Sequence, residues 1–293
     1  VTLAGAGCTA AFVLVYAATV RTKAGRRLGD LALRGAMRTH SQLSDQVDRI
    51  LDVVSVAMLL GAVAVIAVIA LARLRRSTGL AAIGLLAGAN LSTKLLKDYV
   101  LTRPDLGLSE VSPATWNSMP SGHTTAAFSV VAGVLFVVPV RLRGPLAVGG
   151  IAYATATALA TMSSGWHRAG DSVAAFLVVG VWMALATGAI LIGHGPVSRP
   201  VGSAGHWHHD RRWLMVAGGC LAAGSVLTVM LTGVTGLGDG RLAMVAALAT
   251  AALFIVGTAT SMTWMGLALL RLLTPVERPV ADAPTLTDEK AYG

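Results

Sequence analysis

The chain has 293 residues, 55% of them hydrophobic and only 13% charged, with a mean hydropathy of +0.70. That much apolar surface needs a bilayer as a second solvent, which excludes a soluble enzyme, a disordered chain and a secreted disulfide scaffold. The net charge of +9 comes from Lys and Arg scattered over short loops, a pattern that argues against nucleic acid and for membrane lipids or phosphate as partners.

Apolar runs at about residues 3–20, 50–72, 79–101, 122–140, 145–164, 170–193, 213–235 and 242–270 predict an all-α, polytopic integral membrane protein of about eight spans. No basic stretch precedes the first run, so it reads as a span rather than a cleaved leader. Residues 21–49 form the longest polar stretch, where Leu43, Val47 and Ile50 recur at helical spacing. They predict an amphipathic segment on the membrane surface. The tail at 274–293, rich in Pro, Thr and charge, is expected to be disordered. Cys8 and Cys220 sit inside apolar runs without a CxxC partner and read as packing residues.

Lys and Arg divide almost evenly between the two sides of such a topology. The basic residues in its shortest turns, Arg73, Arg75, Arg76, Arg141 and Arg143, favour a cytoplasmic position for the side that carries them. The opposite side holds the loops at 21–49, 102–121, 165–170 and 236–241.

The polar residues left near membrane depth carry the chemistry. Lys94 and Lys97 end the third run three residues apart, a spacing that places them on one helix face. A lysine at a helix centre costs about 2.5 to 3.5 kcal/mol to insert, unless it snorkels to the interface or serves a site. Arg103 and Pro104 follow in the loop. The fourth run opens with Pro120, Ser121, Gly122 and His123. Pro suits a first helical turn, Gly lets a ligand approach the backbone, and the free amides of a helix start favour an anion. A simple helix cap accounts for Pro and Ser, but not for the imidazole behind them. On the same predicted side lie His167, Arg168 and Asp171. A helix beginning near His167 puts Asp171 one turn on, where it can accept the Nδ1 proton and leave Nε2 available to attack. In isolation that spacing also fits a loop histidine followed by a capping aspartate. Taken together, two histidines, one carboxylate and several cations suit phosphate-ester cleavage without a cofactor or a metal.

Lys97 with Arg103-Pro104, then Pro120-Ser121-Gly122-His123, then His167 and Asp171, resemble the type-2 phosphatidic acid phosphatase superfamily, whose site is shared with vanadium haloperoxidases. The likeness is strong over about residues 90–190. It implies a six-helix phosphatase core in residues 1–195, with residues 196–273 as a two-helix C-terminal membrane extension. It also implies His167 as the nucleophile of a phosphohistidine intermediate, Asp171 as its orienter and His123 as the acid for the leaving group. Lys97, Arg103, Ser121 and the Gly122 amide would hold the phosphate. Two departures stand out. The gap from Lys97 to Arg103 is one residue short of the usual pattern, which makes Lys94 a fallback donor. The family's Ser-Arg pair falls on Ala160 and Thr161, so one cationic ligand is missing, with Arg168 available to compensate.

The function expected from this resemblance is metal-independent hydrolysis of a lipid phosphate: phosphatidic acid, phosphatidylglycerophosphate or a polyprenyl diphosphate. The expected location is the cell membrane, with the site on the extracytoplasmic face. A weakened homologue that binds or moves phospholipid is the alternative, motivated by Thr161. The run His206-Trp207-His208-His209-Asp210 reads as a solvated loop rather than a metal site. Trp116 and Trp166, which flank the two motif segments, read as interfacial anchors.

Overall fold

The computed structural model describes residues 1–53, 56–73, 76–109, 111, 117–194, 207–233 and 240–273. Side chains are described for all of these except 39–53, 56–57, 194, 207–214 and 231–233. The described residues are helical apart from turns and loops. The helices are α1 (Thr2–Val20), α2 (Lys23–Val53), α3 (Val56–Ala72), α4 (Arg76–Leu95), α5 (Gly122–Val137), α6 (Val140–Ser163), α7 (Ala169–His194), α8 (Trp207–Gly233) and α9 (Arg241–Arg271). A single π-helical turn, Leu96–Val100, extends α4.

Among the described residues five helices are long and apolar enough to cross a membrane: Thr2–Val20, Arg76–Val100, Val140–Ser163, Ala169–Gly193 and Arg241–Arg271. Three shorter apolar helices accompany them, at Met58–Ala72, Gly122–Val137 and Met215–Met230. This is the make-up of a multi-pass membrane protein. The 274–293 tail lies outside the described residues. Of residues 21–49, those from Lys23 on are helical, within α2, and the side chains of Leu43, Val47 and Ile50 lie outside those described. The first half of α2 does not stand apart from the bundle. It packs on α6 and α9 and buries Arg26, Asp30, Ala32, Leu33 and Ala36.

The post of the bundle is α7, which touches α1, α4, α5 and α9. Its apolar residues run round the whole helix, and Ala174, Phe176, Val179 and Met183 are all but inaccessible. A helix that is apolar on every side belongs in an interior. Phe176 meets Phe128 of α5 edge to face, with ring centroids 5.0 Å apart. Cys8 is buried against the sulfurs of Met262 and Met265, each at 3.7 Å, as a packing residue would be.

Polar groups inside the bundle either bond their own helix or link two helices. Thr157 and Thr187 return their hydroxyls to the carbonyls of Tyr153 and Met183. Asn90 donates to Ser129, Thr93 pairs with Thr125 at 2.9 Å, and Trp182 donates to Ser92. These contacts tie α4 to α5 and α7, the three helices whose ends carry the motif residues.

Close approach sets where glycine is required. A Cβ on Gly35 would stand 2.7 Å from the carbonyl oxygen of Met244 in α9, and a backbone atom cannot yield as a side-chain tip can. Gly35→Ala is therefore expected to push α2 off α9 at a cost of about 1 to 3 kcal/mol, read as a lower thermal midpoint in detergent. Gly84→Ala in α4, where a Cβ meets nothing within 4 Å, is expected to leave the midpoint unchanged or slightly raised.

Candidate active site

The motif segments meet at one end of the bundle, where α4 and α6 finish and α5 and α7 begin. Helix α6 closes with a Schellman arrangement: Gly165 takes φ +77°, its amide donates to Met162 O, and the Trp166 amide donates to Thr161 O. The His167 amide reaches the same Thr161 oxygen at 3.3 Å. The turn thus delivers His167 and Arg168 directly to the start of α7.

At that start Asp171 is the third residue of α7 and caps it. Its Oδ2 accepts the Arg168 amide at 2.9 Å, the reach-back of a capping box, in which the third helical residue satisfies the cap residue's amide. The same oxygen lies 3.5 Å from His167 Nδ1, a long contact, and accepts the Ser118 hydroxyl at 2.6 Å. The cap is a formed hydrogen bond, while the contact with the imidazole is too long to be one. Ser118, 53 positions away in sequence, was not singled out by any motif.

Ser121 is the N-cap of α5, and its Oγ accepts the Thr124 amide and hydroxyl. Pro120 precedes the cap instead of occupying the first helical turn, because the helix begins at Gly122. The Ser121 amide donates to the Asp171 carbonyl at 2.9 Å, which joins the starts of α5 and α7. The first α-helical bond, Thr125 N to Ser121 O, and the Ser121 cap leave the Gly122 and His123 amides as the ones a helix start directs at a ligand.

The rings of His123 and His167 stand 6.4 Å apart, centroid to centroid, and are crossed at 62°. His167 is 7% exposed, whereas His123 is half-buried. Trp166 lies 5.4 Å from the His123 ring, tilted against it, and is 44% exposed. It is therefore a wall of the site as well as an exposed aromatic. Trp116 lies outside the described residues.

Lys94 and Lys97 do not share a face. The amide of Leu101 donates to the carbonyl of Leu96, five residues back, which closes the π turn at the end of α4. Lys94 points outward, paired with Asp98 at 2.9 Å. Lys97 turns inward, its Nζ 4.0 Å from the position a Cβ on Gly122 would take. A lysine that looks one residue out of register in sequence thus arrives beside the start of α5, while the fallback, Lys94, is committed elsewhere. Asn117 braces the turn: its Nδ2 donates to the carbonyls of Lys97 and Leu101, each at 3.1 Å, and to that of Met119.

Arg103, in the loop after this turn, lies in the electrostatic field of Arg168, Arg26, Asp30 and Asp171. Burial, and next the charges of Arg168 and Arg26, lower its pKa from the ordinary value, while the two aspartates act against them. An anion arriving there relieves crowded positive charge. Arg168 itself is 5% exposed, its Nε donating to Asp30 Oδ1 at 2.7 Å. Thr161, at the position where the family pattern has Arg, is fully buried and bonds the Ala158 carbonyl. His208, His209 and Asp210 belong to the first turn of α8 rather than to a loop, and His206 lies outside the described residues. Among the described residues no three His, Cys, Asp or Glu side chains gather as metal ligands.

Residues 78–192 match the PAP2 superfamily. The matched span runs from α4 through α7 and so contains every motif residue described above. Neither a curated protein nor a solved structure matches the chain. The match supports phosphatase-type chemistry on phosphate esters.

Asn117 is expected to matter more than its plain polar character suggests. Asn117→Leu removes the donor shared by three carbonyls and should cost about 1 to 3 kcal/mol, measured as a fall in the detergent melting midpoint.

Proposed function

From the match of residues 78–192 to the PAP2 superfamily we propose that the chain is a membrane lipid phosphate phosphatase acting through a phosphohistidine. The observation that carries this reading is the pair of imidazoles 6.4 Å apart, His167 facing Asp171 and His123 in the first turn of α5 within the field of Lys97.

In the first step Nε2 of His167 bonds to phosphorus as the bond to the lipid oxygen breaks, and protonated His123 gives that oxygen its proton. Asp171 holds Nδ1–H and stabilises the positive charge that develops on the His167 ring. In the second step neutral His123 takes a proton from water. The water oxygen bonds to phosphorus, the N–P bond breaks, and inorganic phosphate leaves. Lys97, Arg103, Arg168, Ser121 and the Gly122 amide hold the non-bridging oxygens, whose charge they neutralise most effectively where water is excluded.

The substrate is the phosphomonoester or diphosphate of a lipid: phosphatidic acid, phosphatidylglycerophosphate or a polyprenyl diphosphate. Five long apolar helices and three shorter ones support an eight-span protein of the cell membrane, and a site at the helix ends suits a headgroup whose anchor stays in the bilayer. The basic turns around Arg73, Arg76, Arg141 and Arg143 lie at the opposite end, which favours an extracytoplasmic site. One residue favours a second reading, a phospholipid-binding homologue with little turnover: Thr161, buried where the pattern has a cation.

Purified protein in mixed micelles should release phosphate in the presence of EDTA and be inhibited by orthovanadate. His167→Ala should fall to background, and His123→Ala should lose about 10²- to 10⁴-fold in kcat. Full activity in His167→Ala, or a strict need for a divalent ion, would sink the mechanism. Phosphate release across phosphatidic acid, phosphatidylglycerophosphate and polyprenyl diphosphate identifies the lipid. Orthovanadate binding without release on any of them supports the second reading.

A further inference from the structure

Helix α2 lies outside the matched span, yet two of its charged residues reach the cation cluster. Arg26 and Asp30, one turn apart, are 2% and 8% exposed. Arg26 donates through Nε to Val20 O and through Nη2 to Pro104 O, which clamps the residue next to Arg103. Asp30 accepts Arg168 Nε at 2.7 Å across 138 positions of sequence. The stem of Arg168 lies along α2, and a Cβ on Gly29 would meet its Cδ at 3.6 Å.

A buried ion pair is an expensive way to join two helices, since well-packed apolar residues of similar volume often do as well or better. This pair lies beside His167, in a chain where the buried position 161 carries Thr. A guanidinium held at one edge by a carboxylate keeps its plane fixed, and a fixed plane is what an oriented phosphate contact requires.

We infer that α2 is a further wall of the phosphate site and that Asp30 is a positioning residue. Its carboxylate sets the guanidinium of Arg168, so that this arginine supplies the cation absent at Thr161. Arg26 holds the backbone of the loop beside Arg103 through the Pro104 carbonyl. The inference rests on the phosphate-handling reading of the site given above.

The test is a double-mutant cycle of Asp30→Asn and Arg168→Ala in the full-length protein in detergent. It reads kcat and KM for micellar lipid phosphate, together with orthovanadate affinity from the shift in melting midpoint. Each single variant should raise KM and weaken orthovanadate by about ten- to a hundredfold, with a much smaller change in kcat. The double variant should be no worse than Arg168→Ala alone, because Asp30 acts through Arg168. Asp30→Glu should recover most of the loss. Wild-type KM and orthovanadate affinity in Asp30→Asn, or losses that add in the double variant, overturn the assignment.

If Asp30→Asn fails to fold, Arg168→Lys keeps both charges but not the planar fork. It should raise KM and weaken orthovanadate, and wild-type values in it overturn the assignment. A wild type that binds orthovanadate but releases no phosphate overturns the phosphatase reading alone, and the cycle is then read by orthovanadate. A wild type that does neither overturns both.

Discussion

A single buried oxygen, Oδ2 of Asp171, organises this end of the molecule. A carboxylate that is 3% exposed is tolerated only where donors replace the water it has lost. The donors are the Ser118 hydroxyl and the Arg168 amide, with His167 Nδ1 at the edge of reach. Satisfying them requires that α7 begin at Ala169, that the segment before α5 lie against that start, and that the turn after α6 deliver His167 there. The backbone of the same aspartate accepts the Ser121 amide. One residue therefore sets the spacing between the elements that carry His123 and His167.

The location of the site follows from what helices do with their polar groups. Inside the bundle the backbone is satisfied within each helix, and Thr and Ser hydroxyls turn back onto carbonyls or onto a neighbouring helix. Only at helix ends do amides and carbonyls come free. Here four ends converge: those of α4 and α6, and the starts of α5 and α7. The amides of Gly122 and His123 face the region reached by Lys97, and the carbonyls opened by the π turn are taken up by Asn117.

The charge balance of the site is not confined to its motif segments. The loop Arg103 and the turn Arg168 are each tied to α2, one through a backbone carbonyl and one through a carboxylate. This arrangement bears on Thr161, whose small buried side chain leaves the end of α6 without a cation. The groups that hold Arg168 and the loop beside Arg103, Asp30 and Arg26, come from a helix that precedes the matched span.

The sequence by itself determined the class of molecule, the apolar helices and the residues with chemistry to offer, because these depend on composition and on short-range spacing. His167 and Asp171 are four positions apart across a helix start, and Pro120 to His123 are contiguous, so their relation could be read locally. Only the tertiary structure decided the rest. Ser118 reaches Asp171 across 53 positions, Asn117 reaches Lys97 across 20, and Asp30 reaches Arg168 across 138. No periodicity carries a contact over such distances. Even the nearer question of Lys94 against Lys97 was decided by surroundings, Lys94 lying exposed beside Asp98 and Lys97 reaching the start of α5. Spacing specifies what one helix can present to its surroundings. Packing, which brings the ends of separate helices together and makes each buried charge find a partner, specifies what it meets.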